Sequence, residues 1–189
     1  MSGGHGAHVD GENKGVALLI AILALILALA ETGAKNSEHE SNFANIEATN
    51  LWNFFQAKTI RRTTLQTAGE DASTRLPGIT DAAVKVATEK QIATWKANAD
   101  RYETEPETQE GRRELMARAK TAEDRRDLAN TRRHHFELAS ALLQIGIVLC
   151  SAMIITGIGW LVWVAGGLGV ISVAFSFIAL FAPNAIHLF

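Results

Sequence analysis

Two histidine clusters and a handful of polar residues inside apolar runs are where this sequence has side chains able to do chemistry. His5, His8, Asp10 and Glu12 stand among glycines. Imidazole and carboxylate together can hold a divalent metal weakly. Ordering a glycine-rich tail around an ion costs conformational entropy, so the expectation is a solvated tail with no metal and no cofactor. His134 and His135 adjoin Arg132, Arg133 and Glu137. Neighbouring residues on a helix point in different directions and do not chelate one ion. Basic side chains at the edge of an apolar run hold anionic lipid headgroups, so Arg132, Arg133 and His134 are candidate headgroup contacts. A pH-sensing role for the histidines is the alternative.

Ser140 and Gln144 lie one helical turn apart inside an uncharged stretch, followed by Gly146 and Cys150; Ser172 and Ser176 repeat the pattern further on. Polar groups in hydrocarbon are expensive and face protein or water. These four are candidate intramembrane contacts, either between packed helices or along a pore. No acidic or basic residue accompanies them, which leaves a proton relay little to work with. Gly166-Gly167-Leu168-Gly169 falls inside an apolar run, not between a strand and a helix, so it is no nucleotide fingerprint. One cysteine excludes a disulfide framework within the chain and a cysteine-rich zinc site. Basic pairs lack interleaved aromatics, which disfavours nucleic acid. The expectation is no enzyme, no catalytic residues and no small-molecule substrate.

The elements that must position these residues follow from segregation. Of 189 residues 48% are apolar and 20% charged, with a net charge of -2, but Val16 to Ala30 is wholly apolar and Leu138 to Ala182 carries no charge. A bilayer core about 30 Å thick needs about 20 apolar helical residues. Three transmembrane helices are therefore expected, over 15–34, 136–157 and 160–182, with a tail before (1–14) and after (183–189). Gly157-Ile158-Gly159 supplies the turn, Trp160 and Trp163 an aromatic belt, and Pro183 the stop. Asp10 and Glu12 ahead of the first run argue for an uncleaved anchor, although Ala28-Leu29-Ala30 fits a signal-peptidase pattern. Arg118, Lys120, Arg125, Arg126, Arg132 and Arg133 crowd the second span. The positive-inside rule then places the N-terminus outside and the middle region and C-terminus in the cytoplasm.

Residues 35–135 form a charged region rich in Ala, Glu, Lys, Arg and Gln and poor in strand signals, so the fold class is all-α. A first helix is expected from Ser41 to Ala68 with Phe43, Ile46, Phe54 and Ala57 at helical spacing. A break over Gly69 to Gly78 and a cap at Thr80 or Asp81 precede a second helix carrying Val84, Ala87, Ile92 and Trp95. A third, starting at Glu105-Pro106-Glu107, is expected to run unbroken into the second span. Leu115, Ala119, Ala122, Ala129 and Phe136 fall near a heptad seam that Arg126 and Arg133 interrupt. Both a coiled-coil stalk and a solvated helical hairpin fit that pattern.

The stretch Leu51-Trp52-Asn53-Phe54-Phe55-Gln56-Ala57-Lys58-Thr59-Ile60-Arg61 resembles the segment after the first span in bacterial proteins of domain-of-unknown-function family 4337. So does the stretch from His135-Phe136-Glu137-Leu138-Ala139 through Leu142-Leu143-Gln144-Ile145 to the closing hairpin. The resemblance implies a multi-pass bacterial inner-membrane protein and brings no activity. It draws attention to Trp52, Phe54, Phe55, Gln56, Lys58 and Arg61 as a candidate interaction surface, either for another subunit or for the protein's own long helix. The expected role is a scaffold or accessory subunit, in contact with lipids and with itself or other membrane-protein subunits. The alternative is a channel or transport component.

Overall fold

The computed structural model describes residues 11–186, with side chains from Lys14 onward. Among them there is no strand. The order is α1 (Gly11–Arg75), a 3-10 turn (Leu76–Gly78), α2 (Ala82–Glu103), α3 (Arg112–Thr156), α4 (Trp160–Phe181) and a 3-10 turn (Pro183–Ala185). α1, α3 and α4 each contain a stretch long and apolar enough to cross a membrane.

α1 passes through Gly69, where a break was expected. A single glycine costs a helix only about 1 kcal/mol, and the surrounding Thr, Ala and Glu are tolerated in helices. The helix ends at Arg75, ahead of Pro77, whose ring disfavours α geometry in Leu76 before it. Asp81 caps α2, its carboxylate accepting from the N–H groups of Ala83 (2.8 Å) and Val84 (3.1 Å). Glu105-Pro106 does not start α3. It opens a turn in which Gln109 takes φ 59° and donates its side-chain amide to Pro106 O at 2.7 Å. α3 then continues without interruption to Thr156, and Gly157 closes it at φ 73°, a left-handed conformation open to glycine at no steric cost.

The chain divides into two compact units. Unit 1 joins residues 1–41 to 127–189 and packs α1, α3 and α4. Its core is Val16, Leu23 and Ala30 with Phe136, Ala139, Leu143, Cys150, Met153, Ala165 and Ala179. Gly33 lies under the Phe136 ring, and Leu23 fits against Gly146 and Gly169. Ser41 Oγ donates to Asn130 Oδ1 at 2.8 Å, so α1 and α3 run antiparallel here. Small residues at these positions let the helix backbones approach closely.

Unit 2, residues 42–126, packs the second part of α1 against the first part of α3 through Ala48, Leu51, Leu115, Ala119 and Ala122. The whole α3 series expected at heptad spacing is buried: Leu115, Ala119 and Ala122 here, Ala129 and Phe136 in unit 1. α1 has its own seven-residue series, with 16, 23, 30 and 37 buried in unit 1 and 44, 51 and 58 in unit 2. The α1 face expected from Phe43, Ile46 and Ala57 is instead exposed, Phe43 by 74% and Ile46 by 57%. Over 37–48 α1 is sorted by size: Ser37, Ser41, Ala44 and Ala48 are buried, and Phe43 and Ile46 point away.

Candidate functional site

The Trp52 to Arg61 segment lies on α1 within unit 2. Helical spacing divides it. Leu51, Trp52, Phe55 and Lys58 turn toward α3, and Asn53, Gln56, Ala57, Ile60 and Arg61 are exposed. Trp52 and Phe55 meet edge to face, with centroids 5.4 Å apart. Trp52 Nε1 donates to Glu123 Oε1 at 2.8 Å. Trp52, Phe54 and Phe55 are half-buried against the apolar cluster of unit 2. Of the six candidate surface residues, only Gln56 and Arg61 are exposed.

Lys58 is 6% exposed, unusual for a residue that seldom buries without a partner. Its Nζ lies 3.4 Å from Glu105 Oε2 and 3.8 Å from Glu110 Oε2. The rings of Phe54 and Tyr102 flank it, each centroid 5.3 Å away. Glu105 also binds Arg101 at 2.7 Å. Glu103 gathers Arg62 (3.3 Å), Arg112 (2.5 Å) and Arg113 (3.3 Å). Arg112 donates from Nε to Thr59 Oγ1 at 2.8 Å and lies over the Phe55 ring at 4.9 Å. Glu114 accepts from Thr104 Oγ1 at 2.7 Å. α1, α2, the 104–111 turn and α3 thus converge on one network.

The electrostatics follow from that geometry. Burial pushes the Glu103 carboxyl up, but Arg112, Arg62 and Arg113 outweigh it and hold the group below the usual range. The Arg101 hydrogen bond holds Glu105 low, against some desolvation and with help from Lys58. Thr104 does the same for Glu114. Lowered carboxylates are poor general acids near neutral pH, and Glu103 and Glu105 are tied to cations. The arrangement can hold three helices together. Among the described residues, no group of three or more His, Cys, Asp or Glu is placed to hold a metal ion. His5 and His8 lie outside the described residues.

In unit 1, the four candidate polar residues do not converge. Ser172 is fully buried and donates to Leu168 O at 2.8 Å; Ser176 donates to Ser172 O at 3.0 Å. Both hydroxyls are satisfied by their own helix. Ser140 is buried with no partner for its Oγ, and Gln144 is exposed; both line an open crevice of about 440 Å³ with Glu31, Lys35, Glu38 and Glu137. Ser176 instead lines a separate, mainly apolar hollow of about 520 Å³ with Ile26, Leu29, Phe177 and Leu180. Arg132 lies 3.7 Å from Glu40, and Arg133 and His134 lie 3.3 and 3.5 Å from Glu137.

Two features escaped the sequence reading. His135 differs sharply from His134: it is fully buried, with Nε2 2.9 Å from Pro183 O and its ring stacked on Phe175. Lys58 finds its partners 47 and 52 positions away, beyond any local pattern. The only available signal was seven-residue spacing, which puts Lys58 in line with Ala44 and Leu51.

The sequence model of one protein family, described as Domain of unknown function (DUF4337), matches residues 12–182. No curated protein and no solved structure matches the chain.

Proposed function

The chain belongs to the DUF4337 family, and from that premise we infer that it is a non-catalytic scaffold or accessory subunit of a bacterial inner-membrane assembly, built around copies of itself. The observation that carries this reading is the outward face of α1 in unit 2. Phe43 (74% exposed), Ile46 (57%) and Ile60 (66%) stand on a helix outside the apolar runs, where large apolar side chains gain nothing from water. The matching inner face is already filled by α3, and its ions are paired with each other. The natural cover for the outer face is a second copy of the same helix, since most soluble and membrane oligomers are homo-oligomers of closed symmetry.

The three apolar helices support insertion. The basic residues from Arg118 to Arg133, just before the apolar part of α3, support a cytoplasmic middle region and C-terminus with the N-terminus outside. The transport alternative draws less support, because Ser172 and Ser176 satisfy their own helix and line no space shared with Ser140 and Gln144. Mass photometry of the natively extracted protein tests the reading. Wild type is expected as a dimer or larger, and Phe43→Glu with Ile46→Glu as a monomer with unchanged helix content. A monomeric wild type would end it.

A further inference from the structure

The crevice that Ser140 and Gln144 line sits where two apolar runs meet charge. On α1 the run ends at Ala30 and Glu31 follows; on α3 Glu137 precedes Leu138, where the run begins. Antiparallel pairing within unit 1, with Gly33 beside Phe136, brings those two boundaries to one level. The crevice thus has charged groups at one end and span residues at the other: Glu31, Lys35, Glu38 and Glu137 above Ser140 and Gln144. Its volume of about 440 Å³ is in the usual range for a small-molecule site, roughly 300–1,000 Å³.

Glu137 is already held by Arg133 and His134, but the other polar groups lack such partners. Among the described residues, Lys35, Glu31 and Glu38 make no ion pair and the Gln144 amide makes no hydrogen bond, although every acid around Lys58 is paired. The independent observation is Ser140. It is only 7% exposed, its hydroxyl has no partner, and it lines this crevice. An orphaned buried hydroxyl costs about 1–3 kcal/mol unless something supplies the missing bond. An ammonium, two carboxylates, an amide and a hydroxyl call for a ligand with both charges: a cation carrying N–H donors for the carboxylates, an anion for Lys35, and acceptors for the amide and hydroxyl.

We propose that this crevice binds the headgroup of a zwitterionic aminophospholipid, of the phosphoethanolamine type. The phosphate pairs with Lys35, the primary ammonium with Glu38 and Glu31, and the glycerol ester oxygens accept from Gln144 and Ser140. The exposed Ile145 and Val148, further along α3, continue the path for an acyl chain. Two unpaired carboxylates to one lysine disfavour a purely anionic lipid, and a quaternary choline has no N–H to donate to them.

The proposal rests on unit 1 being inserted in a membrane, and one experiment separates the two. The full chain is reconstituted into vesicles, flotation is scored, and extracted protein is examined by native mass spectrometry with competing phosphatidylethanolamine, phosphatidylcholine and phosphatidylglycerol. Wild type should float and retain phosphatidylethanolamine selectively. Lys35→Ala and Glu38→Gln, both at exposed positions, should each cut that retention about tenfold, the factor corresponding to one charge-assisted hydrogen bond. Ser140→Ala should lower it less. Floating protein that retains the three lipids equally, or prefers phosphatidylglycerol, overturns the headgroup site alone. Protein that fails to float overturns the membrane reading and the site with it.

Discussion

Replacing Lys58 by alanine should open unit 2 and leave unit 1 intact. Lys58 is 6% exposed, with Glu105 at 3.4 Å and two aromatic rings at 5.3 Å. Breaking a buried ion pair by removing one partner costs roughly 3–5 kcal/mol, because the other charge is stranded. Glu105 is not fully stranded, since Arg101 stays bound at 2.7 Å. Glu110, half-exposed, adds little. Each lost ring contact adds about 0.5–1 kcal/mol. The sum for Lys58→Ala is about 2–4 kcal/mol. Lys58→Met keeps most of the packing but strands Glu105 and loses the ring contacts to the same extent, so it should still cost about 1–3 kcal/mol. Hydrogen exchange by mass spectrometry on the full chain reads this directly. Amides within residues 42–126 should lose protection by about 30- to 800-fold in Lys58→Ala, and amides of α4 should not change. Protection within about twofold of wild type in Lys58→Ala, or wild-type protection in Lys58→Met, would refute the argument that this cation holds the three elements together.

Two further outcomes follow from the same packing. Glu103, Glu105 and Glu114 are held low, so unfolding makes them take up protons below the ordinary glutamate value of about 4.3. Their stabilisation is fully present above that pH and is lost as pH falls through their folded values. Exchange protection of unit 2 should be flat near neutrality and decline only in acid, with a weaker acid limb in Glu103→Gln; a decline already under way near pH 6 would contradict this. Ala119 is fully buried in the seam, so Ala119→Leu should cost about 1–3 kcal/mol by overpacking, whereas exposed Ala117→Leu should change denaturant midpoints little.

The α3 seam was legible in sequence because Leu115 and Phe136 mark a seven-residue spacing that the alanines between them continue. The α1 seam was not, because it is built from Ser37, Ser41, Ala44 and Ala48, which no hydrophobicity pattern distinguishes from surface. Phe43 and Ile46 gave a false stripe for the same reason: size alone suggested burial, and close helix approach excluded it. Pro77 and Asp81 were readable as helix punctuation because each acts on its own neighbours. Pro106 misled, since proline suits a first helical turn and a tight turn equally, and only the Glu114 contacts with Thr104 and Glu105 distinguish them. The polar residues of the apolar helices were visible as a set. That Ser140 and Gln144 line one hollow and Ser176 another depends on helix rotation, which sequence does not carry.

The seam of small residues on α1 has a consequence for synthesis. Ser41 is made 89 residues before Asn130, its hydrogen-bond partner, and Trp52 71 residues before Glu123. At roughly 5–20 residues per second, α1 waits about 4–18 s for the helix that will cover it. A leucine-lined face would spend that interval open to any other nascent chain. Over 37–48 the waiting face is serine and alanine, which present almost nothing adhesive until α3 emerges.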